Sequence, residues 1–444
     1  MRRRPSLAAF AALAVAAALA AAAQEPAPAG AVAPPVAGGE PGFYLGVGSC
    51  LGAGCHGATV PQAESRILGN EYYTWLRRDP HQGAYNLLFN EHSRLIAANV
   101  RLSEPAHRAA LCLDCHAFSV PAARRRGAVP IEDGISCEAC HGPASGWRDG
   151  HTDPSWTHAD SLARGLVDLG QPAVRARACI GCHQGDARRT VDHELIAAGH
   201  PVLVFELDNY SAEMPPHWKR GGGDGVRAWA VGQAVAFREG LAQLAGKARS
   251  ERWPEFAELA CTSCHHSLAA GRWRNAAGYP GRVRPGLPPW SPARWAALRH
   301  LVAAAAPAER QGLDAQVARL AAAVQPLNRP AEVAGIAEGL SQALDRVVPA
   351  LAAASWDEAR VRSLLAALAA DREFLRTADV ASAEQVFFAA QSLAGYLVQG
   401  DPRRAGGPLP GRLDRLYREL SDPEAYDPGR FSDLLGEVAQ AAGP

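Results

Sequence analysis

The sequence predicts a mainly α chain in two parts, an irregular, loop-rich part up to about Tyr279 and a helical bundle after it. Three observations predict this. First, all ten cysteines fall in Cys-Xn-Cys-His units: Cys50/Cys55/His56, Cys112/Cys115/His116, Cys137/Cys140/His141, Cys179/Cys182/His183 and Cys261/Cys264/His265. Second, a Pro/Gly-rich stretch runs from Tyr279 to Pro292, after which cysteine disappears and His300 is the last histidine. Third, apolar residues then recur at helical spacing, as in Leu313, Val317, Leu320 and Val324, or Val333, Ile336, Leu340, Leu344 and Val347.

The five units read as attachment sites for five covalently bound haems c. Two thiols add to the two vinyl groups of one macrocycle, and the histidine that follows reaches the iron from one side. Disulfides or zinc are the bland alternatives for an even cysteine count, but neither requires a histidine after every second cysteine. Four units have the usual two-residue gap. The first is wider, Leu51-Gly52-Ala53-Gly54, and its two glycines are expected to let the loop bulge.

Residues 1–23 read as a secretory signal peptide, with Arg2-Arg3-Arg4, an apolar run from Leu7, and cleavage after Ala23. Haem attachment outside the cytoplasm agrees with that, so the mature protein is expected to be periplasmic or otherwise exported. Residues 24–42 form a flexible Ala/Pro/Gly-rich lead-in. Residues 43–279 form a pentahaem cytochrome c domain with little regular structure around stacked haems, and 280–292 form a linker. Residues 293–444 are the C-terminal helical bundle, expected to act as scaffold, docking or dimerisation module. Formal net charge is zero, so nothing suggests nucleic acid. Arg124-Arg125-Arg126 is expected in a solvated loop.

The second ligands of the irons are constrained by composition. Of two methionines, Met1 lies in the signal, so only Met214 could give His/Met ligation, the arrangement that raises potential. Of 15 histidines, five belong to the units and ten are spare, which predicts mainly bis-histidine, low-potential haems. His81, His151, His193 and His200 are the favoured second ligands, and His217 and His266 are further candidates. His92, His107, His158 and His300 rank below them. On a helix, His193 and His200 would share a face about 10 Å apart along the axis and could serve two neighbouring irons.

The segment from Gly134 to Pro143, Gly-Ile-Ser-Cys-Glu-Ala-Cys-His-Gly-Pro, followed by His151, resembles the cytochrome c-554 family of multihaem electron carriers. So do Asp79-Pro80-His81 after the first unit and the order of the first four units. More broadly, the chain resembles the hydroxylamine oxidoreductase and pentahaem nitrite reductase lineage. The resemblance covers about Ser49 to Trp218. The fifth unit and the tail lie outside it, and the first unit departs from it in its gap. It implies that His151 caps the iron of His56, that His81 caps the iron of His141, and that a histidine from the His193/His200 segment caps the iron of His183. It also implies a five-coordinate iron at His116.

Two functions follow. The first is an electron carrier, relaying single electrons between redox partner proteins, one of which could be membrane-associated. The second is an oxidoreductase acting on a small nitrogen or sulfur oxyanion, or on a substrate such as nitric oxide, at an open His116 haem. The nitrite reductases use a Cys-Xaa-Xaa-Cys-Lys unit, and Lys219 and Lys247 lie nowhere near a cysteine pair.

Overall fold

Capping residues and prolines mark out most helices of this chain. The computed structural model describes residues 42–219, 224–266 and 287–443. The expected signal peptide, nearly all of the lead-in, and much of the Pro/Gly-rich linker lie outside the described residues. The first part carries short helices: α1 Glu71–Arg78, α2 Glu91–Asn99, α3 Ala110–His116, α4 Cys137–His141, α5 His158–Ala163, α6 Pro172–His183, α7 His193–Ala197 and α8 Leu207–Glu213. Asn90 caps α2 through Ser93 N, Asp192 caps α7 through Leu195 N, and Thr157 with Asp160 forms a capping box at α5. Three units fall on or at the ends of α3, α4 and α6, and the fifth begins in a 3₁₀ turn, Cys261–Ser263.

The second part is built of longer helices: α9 Asp224–Ala248, α10 Ala293–Ala305, α11 Pro307–Val324, α12 Pro330–Ala353, α13 Glu358–Ala370, α14 Arg372–Leu375, α15 Val380–Gly400, α16 Pro408–Leu420 and α17 Pro428–Ala441. Proline opens α11, α12, α16 and α17, where its missing N–H costs nothing. Among the described residues, β pairing is confined to two isolated bridges, Tyr44 with Arg125 and Leu259 with Trp290. The chain is mainly α, with few regular elements around the units and a helical bundle at the C-terminal end. None of the described helices is long and apolar enough to cross a membrane.

The bundle recruits a helix from ahead of the linker. Helix α9, which the sequence reading assigned to the haem region, packs chiefly on α12 and also on α6, α8, α10 and α15. Its Trp229, Val235, Leu241 and Leu244 share one buried cluster with Leu298, Leu340, Leu344 and Leu393 of the tail, and with Ile180 of α6. Apolar residues nearly all round α9 explain this, since a helix without a polar face belongs inside. Among the described residues, the region before α6 has two small clusters, Tyr85/Leu88/Ala97/Ala106/Ala117 and Tyr44/Phe118/Val120/Val129.

Candidate haem-binding sites

The five unit histidines are positioned by the local chain. In the first unit, Cys55 N bonds to Gly52 O at 2.8 Å, Gly57 N to Gly52 O at 3.0 Å, and His56 N to Cys50 O at 3.3 Å. The wide gap therefore closes into a compact turn. The glycine that the close approach requires is Gly57, where a Cβ would meet Leu51 O at 1.9 Å; Gly54 has open space around it.

In the third unit, the buried Glu138 carboxylate accepts from Leu45 N, Gly46 N and Ala144 N at 3.0, 2.7 and 2.8 Å, tying the entering chain to α4. The arginine run also serves that entry. Arg124 donates to Gly42 O, Arg125 to Val120 O, and Arg126 covers the Phe43 ring.

Four of the unit histidines have a second histidine ring opposite. His56 faces His151 with ring centres 6.3 Å apart and planes 4° apart. His183 faces His81 at 5.8 Å and 87°. His116 faces His200 at 6.5 Å and 80°, and His265 faces His193 at 6.3 Å and 35°. Two imidazoles bound to one metal from opposite sides, each through a bond of about 2 Å, stand with centres about 6 Å apart. Rotation about their shared axis leaves that distance unchanged, so the planes can take any mutual angle. His217 lies close enough to His141 to lower its basicity, while its own Nε2 rests 3.3 Å from Asp79 Oδ2.

Aromatic pairs in general span about 4.5–7 Å, so the separations take their meaning from how the rings are held. A metal-binding histidine commonly spends its other ring nitrogen on a carbonyl or carboxylate. Here Nδ1 donates from His56 to Glu71 at 3.0 Å, from His81 to Asp79 at 2.9 Å, from His116 to Ala84 O at 3.2 Å and from His200 to Pro201 O at 2.8 Å. His151 Nδ1 donates to Arg148 O and His217 Nδ1 to Pro215 O. In the first five of these, Nε2 is left to face the opposite ring.

Three of the lower-ranked histidines do the reverse: His92 uses Nε2 on Gly199 O, His158 on Asp168 and His300 on Asp371, and His107 stacks on Phe89. His266 follows directly on His265, is half-buried and has a partner of its own.

These placements differ from those the resemblance implies. His81 stands against His183 rather than His141, and the rings of the segment expected at His183 lie opposite His265 and His116 instead. His116, the implied open position, has His200 opposite. The expected shared helical face is also absent: α7 ends at Ala197, and Gly199, with φ of +117°, turns the chain before His200. A helix signal read over seven residues missed the glycine that ends it. The pairing His56/His151 is the one the resemblance and the ring positions share.

The electrostatics divide these histidines into two groups. Burial pushes His141 and His183 down to about 4, with His217 and His81 respectively adding to it. Burial also lowers His116, whereas the Glu71 and Asp79 carboxylates raise His56 and His81.

The first four units approach one another through their cysteines. Cys50 lies beside Cys137 and Cys115 beside Cys182, near enough for each pair to shift the other's acidity, and Cys140 senses Cys179 and Cys182. The first and third, second and fourth, and third and fourth units are therefore neighbours.

The turn that carries the fifth unit is anchored separately from the first four. Cys261 and Cys264 are both exposed, as Cys55 and Cys140 are. The unit's placement is local: Cys264 N and His265 N both bond to Cys261 O, at 3.1 and 2.8 Å. The reason is where the turn is anchored. Ala260 N donates to Pro289 O at 2.9 Å and Leu259 bridges to Trp290, so this turn is fastened to the chain entering the bundle and not to the earlier units. Cys264, expected as the second thioether anchor of the fifth haem, thus stands at the surface, and the unit's link to the others comes through His265 and His193.

The residues fit haem on a second ground. Among the described residues, every exposed large apolar side chain except Tyr417 lies at or before Phe256, including Val60, Leu76, Leu87, Leu95, Leu111 and Val202. A part with such faces and so little core suits a flat apolar group packed against it.

Residues 53–142 match the family model described as Cytochrome c554 and c-prime. The match begins inside the first unit, includes the second and third, and covers well under half of the chain. No curated protein and no solved structure matches the chain. Over the matched residues the chain is similar to c-type cytochromes, which supports covalently bound haem and electron transfer.

Proposed function

We propose that this chain is an exported pentahaem cytochrome c that relays single electrons between redox partner proteins. Bound at each unit, a haem supplies one-electron chemistry by alternating between ferric and ferrous iron. The ten cysteines anchor the macrocycles, and the unit histidines take one axial position at each iron. His81, His151, His193 and His200 are the proposed second ligands of the irons at His183, His56, His265 and His116, and His217 is proposed for His141. For His217 this means releasing Asp79, which His81 already engages. The observation that carries the reading is the set of four opposed histidine pairs about 6 Å apart, in which the Nδ1 atoms of His56, His151, His81, His116 and His200 are held by the protein.

Bis-histidine ligation without methionine leaves the potentials low. Intact mass and haem content of the purified full-length protein should give five haems per chain, and a redox titration should place most midpoints below zero. A smaller haem count, or predominantly positive midpoints, overturns the reading. The alternative, turnover of a small oxyanion at an open iron, needs a free position that the ring of His200 disfavours.

A further inference from the structure

Helix α7 and the turn after it form a short segment with a unit histidine opposite each end. His200 stands 6.5 Å from His116, and His193 stands 6.3 Å from His265. The segment is held at several points. His193 N donates to Glu255 Oε1 at 2.9 Å, just ahead of the fifth unit, and Asp192 caps α7. At the other end, Asn99 Nδ2 donates to Ala198 O and His92 Nε2 to Gly199 O, both at 3.0 Å, so α2 pins the turn that carries His200. His200 Nδ1 is spent on Pro201 O and His116 Nδ1 on Ala84 O. Both rings of that pair thus keep Nε2 for a shared partner.

We propose that the segment from His193 to His200 supplies the sixth ligand of two irons, His200 opposite His116 and His193 opposite His265. The second iron is thereby closed to exogenous ligands, and the fifth haem is joined to the other four beside the second. The inference rests on the pentahaem reading above. Its geometric basis is length: a short helix and three further residues span at most about 17 Å between the two Cα atoms, so irons held at its ends belong to neighbouring macrocycles. Together with the cysteine contacts, the relay runs first, third, fourth, second, fifth. The second haem is an internal link and not a terminal reaction site.

The test uses full-length holo-protein, with intact mass to count haems and low-temperature EPR of the oxidised form. Wild type should carry five haems and no high-spin iron, and should not change with nitric oxide or nitrite. His200→Ala should open one high-spin centre that returns to low spin with imidazole. It should also lose a highly anisotropic low-spin signal, because nearly perpendicular ligand planes leave two iron d orbitals close in energy. His193→Ala should open a different centre and lose a less anisotropic signal, as planes 35° apart split those orbitals.

His200→Met covers the case in which the alanine variant loses haem, since it keeps six ligands and should raise one midpoint potential. With five haems present, two results overturn the inference: high-spin iron in wild type that His200→Ala leaves unchanged, or unaltered spectra in His200→Ala with unaltered potentials in His200→Met. Fewer than five haems in wild type overturns the pentahaem reading instead.

Discussion

At the scale of single residues, carboxylates decide how electron-rich the proposed axial histidines are. Glu71 accepts from His56 Nδ1 at 3.0 Å and from Leu68 N and Gly69 N at 2.9 and 3.0 Å, so it is fixed in place and negatively charged. Such a partner raises the basicity of the ring and favours ferric iron. Glu71→Gln should therefore move one of the lowest midpoints upward and leave the rest unchanged, as read by spectroelectrochemical titration.

Glu206 poses a different problem. It caps α8 by accepting from Asp208 N and Asn209 N, yet complete burial pushes its carboxyl up to about 7 from an ordinary 4.5. Between those two values the folded chain keeps a proton that the unfolded chain has lost. Stability then falls as pH rises across the window, by about 3 kcal/mol in total. Thermal midpoints measured from pH 4 to 8 should show that decline, and Glu206→Gln should flatten it.

At the scale of elements, α9 connects the two parts. It meets α6, which ends on the fourth unit, on one side and α12 on the other. The segment from Val226 to Ala245 is apolar on nearly every side, which places it inside without naming its partner. Periodicity tells which face is buried and is silent on what covers it. Leu344 of α12 is fully buried in the shared core, and Leu344→Ala should cost about 2–5 kcal/mol. Because α6, α9 and α12 stand in one cluster, differential scanning calorimetry should show a single transition moved down as a whole. Two transitions, with only one displaced, would show that the tail unfolds separately. Helix α7 gives the opposite lesson, since a helix carrying both His193 and His200 was expected and the turn at Gly199 ends it early.

At the scale of the whole molecule, apolar surface is divided unequally. One extensive core runs from α6 through the tail, whereas the region around the first three units has two clusters of a few residues. Small cores seldom sustain a fold unaided, so the early units depend on what they bind and on hydrogen bonds such as those of Glu138. The bundle gives the fourth and fifth units a rigid base, which supports a scaffold role for the tail over that of a detachable docking module. Neighbouring units reach one another through Cys50 with Cys137 and Cys115 with Cys182, contacts of 87 and 67 positions' separation that spacing along the chain does not reveal.

The sequence by itself determined which side chains are available: ten cysteines in five Cys-Xn-Cys-His units, one methionine beyond Met1, and ten histidines outside the units. It also determined the mainly α class, because spacing and punctuation are local properties. Only the tertiary structure decided which histidine faces which, turned His200 rather than an open position toward His116, and gave α9 to the bundle. The reason is that a ligand pair and a core contact each join residues far apart in the chain. Their choice depends on the backbone path between them, on a single glycine such as Gly199, and on hydrogen bonds from helices such as α2.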